Sequence, residues 1–422
     1  MAIPDPQAKP LAKRKLMLVA AEASGDALGA GLIQALNNQA PGAFEFVGVG
    51  GARMREQGIE SPFDISELSI LGIVEGIKAL PRVNRRVREV SAFAQKEKPD
   101  AVVLIDSWGF TLRCAQALRR IMPGIPLIKY VAPQVWAMRP GRAKTLAGTV
   151  DLLLALHPMD PPFFEPQGLK TVVVGNPAVY VDFSNADPVA FRKSLQIKSN
   201  GPLVLVLPGS RPSEVRLLMP IFTEVMQTLA RQRPGVTLAL PVAETVRPAV
   251  LAAVKLMRRQ SPDLRLRLIE DEAEKLSAMQ AADVALACSG TVSTELAMAG
   301  CPMVIAYKAE PLTALIFRYV ATLRHVTMFN IMADKRIAPE FLQQDCTPDN
   351  LLGAITQRLD DKALRDEQVA EQFRALDLMG RGQQPPAEKA AAAVLAFLSA
   401  RAELSDEDIV LIKNAEYGAE AR

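Results

Sequence analysis

Two glycine-containing turns in the second half of the chain hold the residue types that bind anions. The apolar run Leu203–Leu207 ends in Pro208-Gly209-Ser210-Arg211, and Ser213-Glu214-Val215 then opens a helix. A buried strand, a tight turn and a helix N-terminus leave backbone amides pointing outward, a ready site for phosphate. Arg211 adds a planar, permanently charged fork that suits a diphosphate, with Glu214 in the turn that follows. The second turn, Cys288-Ser289-Gly290-Thr291-Val292-Ser293-Thr294-Glu295, links the run Val284–Ala287 to helical Leu296–Ala299. Ser289, Gly290 and Thr291 offer a second cradle, and Glu295 can accept from two ribose hydroxyls. The bland alternative is an ordinary turn with a solvated Arg211 and a Glu295 that complements the helix dipole. Two such loops in one domain favour a nucleotide.

The first half offers different chemistry. Glu22-Ala-Ser24-Gly25-Asp26 follows the first apolar run directly; Ser24 and Asp26 can cap the next helix, and no GxGxxG is present. Asp106 ends the run Asp100–Ile105, where a carboxylate can act as general base toward a hydroxyl, although a helix N-cap is the commoner task. Pro133–Arg142 contains Gln134, Trp136 and Arg139, enough for a polar, acidic ligand, against packing for the Trp alone. In Leu68–Arg88, apolar Ile70, Leu71, Ile73, Val74, Ile77 and Leu80 precede Arg82, Arg85, Arg86 and Arg88. That combination fits contact with anionic lipid, or equally a core helix with a solvated basic face.

These loops need a scaffold, and the chain alternates short apolar runs with helical stretches throughout. Leu16–Ala20, Phe44–Val49, Asp100–Ile105, Leu127–Val131, Leu152–Ala155 and Thr171–Val174 read as strands, with helices at Ala27–Asn37 and Leu112–Ile121. The pattern weakens over Tyr180–Ser199 and restarts with Leu203–Leu207, Thr237–Leu240, Leu264–Ile269, Val284–Ala287 and Met303–Ala306. The expectation is α/β, with two doubly wound parallel sheets facing a cleft. The divisions expected are a flexible 1–14, domains at 15–183 and 184–375, and helices at 376–404 that return to the first domain or a partner subunit. A polar tail, 405–422, follows.

At 422 residues the chain exceeds one ordinary core. A net charge of +3 gives no basic field for nucleic acid. Four scattered cysteines and two histidines give neither a disulfide framework nor a metal cage, so no metal and no cofactor are expected. The polar N-terminus lacks a signal-peptide core, and no apolar run reaches the ~18 residues of a bilayer span, so a cytoplasmic location is expected.

Taken together the motifs resemble the lipid-A-disaccharide synthases, from about Leu16 to Leu378. The residues concerned are Ala21–Asp26, Gly48-Val-Gly-Gly-Ala-Arg-Met54, Leu71-Gly-Ile-Val-Glu75, Val131–Ala137, Leu207–Arg211, Ser289–Thr291, Cys301-Pro-Met-Val304 and Asn330. The resemblance implies a GT-B fold and a metal-independent, inverting transfer in lipid A biosynthesis. 2,3-Diacylglucosamine would pass from UDP to 2,3-diacylglucosamine 1-phosphate, giving the β(1→6) disaccharide. It further implies Asp106 as base, Asn330 at the donor site, the 68–80 segment on the inner membrane's cytoplasmic face, and a possible homodimer. Departures occur at Trp108-Gly-Phe-Thr111 for a common Pro-Asp-Phe-Asn, at Gly175-Asn176-Pro177 for Gly-His-Pro, and at Met138 for a second Trp. Rival readings are an epimerase or soluble-acceptor transferase acting on a UDP-N-acetylhexosamine, and a non-catalytic nucleotide-sugar binder.

Overall fold

The computed structural model describes residues 13–68, 73–136, 141–197, 201–310 and 324–402. The side chains of Ile70, Leu71, Ile73, Val74, Ile77 and Arg139, and the 405–422 tail, lie outside the described residues.

The chain divides into two compact units, one made of residues up to Gly175 and from Gln384 onward, the other of Asn176–Gln383. The first holds six parallel strands: β1 (Arg14–Ala20), β2 (Phe44–Val49), β3 (Ala101–Ile105), β4 (Leu127–Tyr130), β5 (Leu152–Ala155) and β6 (Thr171–Val173). Their order across the sheet is β2-β1-β3-β4-β5-β6. β3, β4 and β5 are buried along their whole length, as a sheet covered on both faces requires. Alternate β1 residues feed opposite cores: Met17 and Val19 one, Leu16 and Leu18 the other. Helix Pro386–Ala402 packs on helix Ala23–Gln39 and buries Ala390, Ala391 and Val394 in that second core.

The second unit holds β7 (Leu203–Leu207), β8 (Thr237–Pro241), β9 (Leu266–Ile269), β10 (Val284–Cys288), β11 (Met303–Tyr307) and β12 (Glu340–Leu342). Here the order is β12-β11-β10-β7-β8-β9, with every described pairing parallel. β12 was absent from the expectation because three residues are too short for a periodic signal.

Both sheets reverse direction of growth beside their first strand, between β1 and β3 and between β7 and β10. Loops leaving the carboxyl ends of such neighbours diverge and open a crevice. Helices Ala23–Gln39 and Trp108–Ile121 begin four residues earlier than the apolar period suggests, so Ser24 and Asp26 lie inside a first turn rather than capping it. Among the described residues no helix is long and apolar enough to cross a membrane.

Candidate functional site

At the β7/β10 reversal, Gly209, Ser210, Arg211, Glu214, Ser289, Gly290, Thr291 and Glu295 all line one cavity of about 320 Å³. Gly209 adopts φ +110°, and a Cβ there would stand 2.4 Å from Glu214 Oε2, so conformation and space both demand glycine. Glu214 folds back over the turn. Its Oε2 accepts from the amides of Ser210 (3.1 Å) and Arg211 (3.2 Å), and its Oε1 from the Arg211 guanidinium (3.1 Å). A carboxylate thus fills the amide nest at the N-terminus of helix Pro212–Gln232, where positive potential gathers. Glu214, expected on the UDP-sugar, is a capping-box residue that shows what charge the nest accepts.

Opposite, Gly290 is the N-cap of helix Thr291–Met298, and Ser289 Oγ donates to the Val326 carbonyl at 3.1 Å. Glu295 forms an ion pair with Lys275 at 3.0 Å, and Lys275 reaches Glu272 at 2.7 Å. Burial works against the Lys275 charge, but Glu295 and Glu272 outweigh it and raise its pKa. Lys275 lines the cavity and was missed in the sequence, where Glu272–Lys275 reads as an ordinary charged helix start.

Asn330 corrects an expectation. It is fully buried, and its amide donates to the Ala338 carbonyl (2.9 Å) while accepting from Ile337 N (3.0 Å) and Ala338 N (3.1 Å). Its side chain thus clasps the 337–338 backbone from a fully buried position. Glu340, also buried and also missed, accepts from the amides of Val326 (3.1 Å) and Thr327 (2.8 Å). It thereby fixes the 326–327 segment on which Ser289 leans.

In the first unit the loops after β1 and β3 meet at the other reversal. Asp106 (φ +51°) and Ser107 (φ +38°) are consecutive left-handed residues, an uncommon and strained pair outside glycine. Ser107, not Asp106, takes the N-cap position of helix Trp108–Ile121, so the capping alternative for Asp106 fails. Asp106 Oδ2 accepts from Ser24 Oγ at 3.1 Å, and a Cβ on Gly25 would lie 3.6 Å from Asp106 Cβ. Glu22 is the N-cap residue of helix Ala23–Gln39. Asp26 is 3% exposed and accepts from the amides of Gly51 (2.7 Å), Arg53 (2.8 Å) and Met54 (3.1 Å), binding the next loop.

Trp136 is buried, and its indole donates to buried Asp160 at 2.9 Å. Burial pushes Asp160 up to about 6, with the Trp136 and His157 hydrogen bonds pulling the other way. Burial lowers neighbouring His157 to about 4. Gln134 is exposed. Of the expected lipid-facing arginines, Arg82 and Arg85 are exposed. Arg86 is not: it lies over the Phe63 ring and pairs with Glu67 (2.7 Å) and Glu89.

Two doubly wound sheets, one with an anion nest at its reversal and one presenting a carboxylate there, define a two-domain α/β enzyme of the nucleotide-sugar class. The fold recurs in S. aureus MnaA, solved with UDP (TM-score 0.62, 17% identity, 93% of this chain and 98% of that one). It recurs also in UDP-GlcNAc 2-epimerase from Neisseria meningitidis, solved with UDP-GlcNAc (0.58, 13%, 91% and 99%). The chain belongs to the lipid-A-disaccharide synthetase family, whose model matches residues 16–394. It is 42% identical to the lipid-A-disaccharide synthase of Paramagnetospirillum magneticum, over 91% of this chain and 97% of that protein. It is 41% identical to that of Rhodospirillum centenum, over 92% and 95%.

Proposed function

We propose that the chain moves a 2,3-diacylglucosaminyl group from UDP to the 6-hydroxyl of 2,3-diacylglucosamine 1-phosphate, with Asp106 as the base. By its family the chain is a glycosyltransferase of lipid A disaccharide synthesis, using a UDP-sugar donor and a sugar-phosphate acceptor. The residue roles and the exact lipids are the proposal.

In this reading the acceptor oxygen attacks the anomeric carbon as the bond to the diphosphate breaks, and Asp106 takes the hydroxyl proton. The amides of Ser210 and Arg211, the Arg211 guanidinium and the Ser289–Thr291 turn receive the charge that develops on departing UDP. Glu295 takes the ribose hydroxyls, with Lys275 holding it. For the diphosphate to enter the nest, the Glu214 carboxylate moves aside. The observation that carries the reading is the Asp106–Ser107 turn, two strained residues that hold a half-buried carboxylate out at the end of β3.

The test is a transfer assay with both lipids, wild type against Asp106→Asn. Disaccharide and UDP from wild type, with a loss of about 10³-fold or more in kcat and unchanged UDP binding in the variant, support it. Wild-type turnover by Asp106→Asn would remove the base assignment.

The membrane surface belongs to the same proposal. Leu80, Arg82, Arg85 and Arg88 are exposed on one segment, which suits an anionic bilayer. Co-sedimentation with phosphatidylglycerol vesicles that survives Arg82→Glu/Arg85→Glu unchanged would refute this docking face.

A further inference from the structure

Beneath the turn that presents Asp106 lies a lysine that the transfer chemistry leaves unused. Lys129, third residue of β4, is 2% exposed. Lysine is almost never so buried without a paired charge. Its hydrogen-bond partners are instead a carbonyl and a hydroxyl: the ammonium donates to the main-chain oxygen of Asp106 and to Thr111 Oγ1 (2.9 Å). Thr111 is itself fully buried in the first turn of helix Trp108–Ile121. Its oxygen stands 2.6 Å from the Asp106 carbonyl and 3.0 Å from that of Ser107.

Two polar groups, the Lys129 ammonium and the Thr111 hydroxyl, therefore converge on two consecutive carbonyls, both belonging to the left-handed residues. A left-handed pair of non-glycine residues relaxes unless its surroundings over-determine it. An amine buried beside the Asp106 carbonyl, with Thr111 bridging to Ser107, supplies such a restraint. The remaining titratable neighbours are the Asp106 carboxyl and the Cys114 thiol on the same helix as Thr111, and burial pushes that thiol up so that it stays neutral. Burial lowers Lys129 to about 7 against their pull, so the site holds this amine at a real cost. A lysine kept only for packing is replaceable by methionine without that cost.

We propose that Lys129 is a positioning residue for the transfer: with Thr111 it pins the Asp106 carbonyl and so fixes the turn that aims the Asp106 carboxylate. The proposal rests on the reading of Asp106 as base. Lys129 touches neither substrate nor reacting atoms; it acts through the backbone it holds.

The experiment measures kcat and both KM values, on the full chain, for Lys129→Met, Lys129→Gln, Thr111→Val and Asp106→Asn, with thermal midpoints and UDP binding for each. Lys129→Met is expected to keep its midpoint, UDP affinity and donor KM while kcat falls about 10- to 100-fold, the penalty of a carboxylate misplaced by about 1 Å. Lys129→Gln, which restores a donor to the carbonyl, recovers most of that loss, and Thr111→Val lowers kcat in the same direction without touching the lysine. Folded Lys129→Met and Thr111→Val with wild-type kcat overturn the proposal. So does a fall in kcat that merely tracks lost folded protein or lost UDP binding. If Asp106→Asn is inactive in either case, only the Lys129 assignment has failed; if Asp106→Asn is active, the base reading has failed and takes this one with it.

Discussion

Replacing Asn330 with alanine separates a residue that holds structure from one that performs chemistry. Resemblance alone puts Asn330 at the donor site, whereas in the structure its side chain is hydrogen-bonded to the backbone of Ile337 and Ala338. Ile337 N also donates to the Lys335 carbonyl at 2.9 Å, so it keeps a partner in the variant. Ala338 N and Ala338 O lose theirs, both buried with a residue that is 0% exposed. At about 1–3 kcal/mol for each buried group left unsatisfied, the cost is about 2–6 kcal/mol. In a unit of about 200 residues, 1 kcal/mol moves the midpoint by about 2–4 °C, so a loss on the order of 10 °C is expected. Calorimetry reads the midpoint, and transfer kinetics normalised to active sites counted by UDP binding read kcat. The expected result is a lower midpoint with kcat per competent site within about fivefold of wild type, because no transition-state contact is removed. An unchanged midpoint with kcat lowered a thousandfold would refute the clasp and return Asn330 to the chemistry.

Gly209→Ala should weaken UDP binding by about tenfold or more by titration calorimetry, because φ +110° is strained for alanine and distorts the turn that carries the amides; wild-type affinity would show that the nest does not hold the diphosphate. Asp160 and His157 should tilt the pH dependence of stability in opposite directions. Asp160, raised to about 6 when folded, binds more protons folded than unfolded between about pH 4 and 6, so its contribution is present below that window and lost as pH rises, by about 3 kcal/mol. His157, lowered to about 4, binds more protons unfolded, so its contribution grows with pH up to about 6.5 by a similar amount. Urea melts of Asp160→Asn and His157→Gln across pH 4–7 should therefore diverge from wild type with opposite slopes, and parallel curves would refute both assignments.

Much of this protein is local and so legible in its residues. Parallel strands buried on both faces must be continuous apolar runs, which is why the strands from Leu16 to Ala306 could be placed within a residue or two in most cases. Turns that need glycine or an exposed helix start announce themselves, as Gly209–Arg211 and Ser289–Thr291 do, and both line the cavity. Asp106 could be singled out as a carboxylate closing a buried strand, but its position alone left helix capping the commoner alternative, which only the observed Ser107 N-cap removes. The polar residues whose task depends on what folding brings opposite them were not legible. Asp26 finds its partners at Gly51, Arg53 and Met54, and Glu340 finds its own at Val326 and Thr327. Glu214 turns onto the nest, Arg86 turns inward onto Phe63 and Glu67, and Lys129 turns under Asp106. Where the last helix goes was equally undecided by an Ala-rich stretch, and packing against Ala23–Gln39 settles it for Pro386–Ala402. The physical reason is common to all of these. Periodicity and turn chemistry belong to neighbouring residues, but a buried polar atom is satisfied by whichever group the tertiary fold sets beside it, tens or hundreds of residues away.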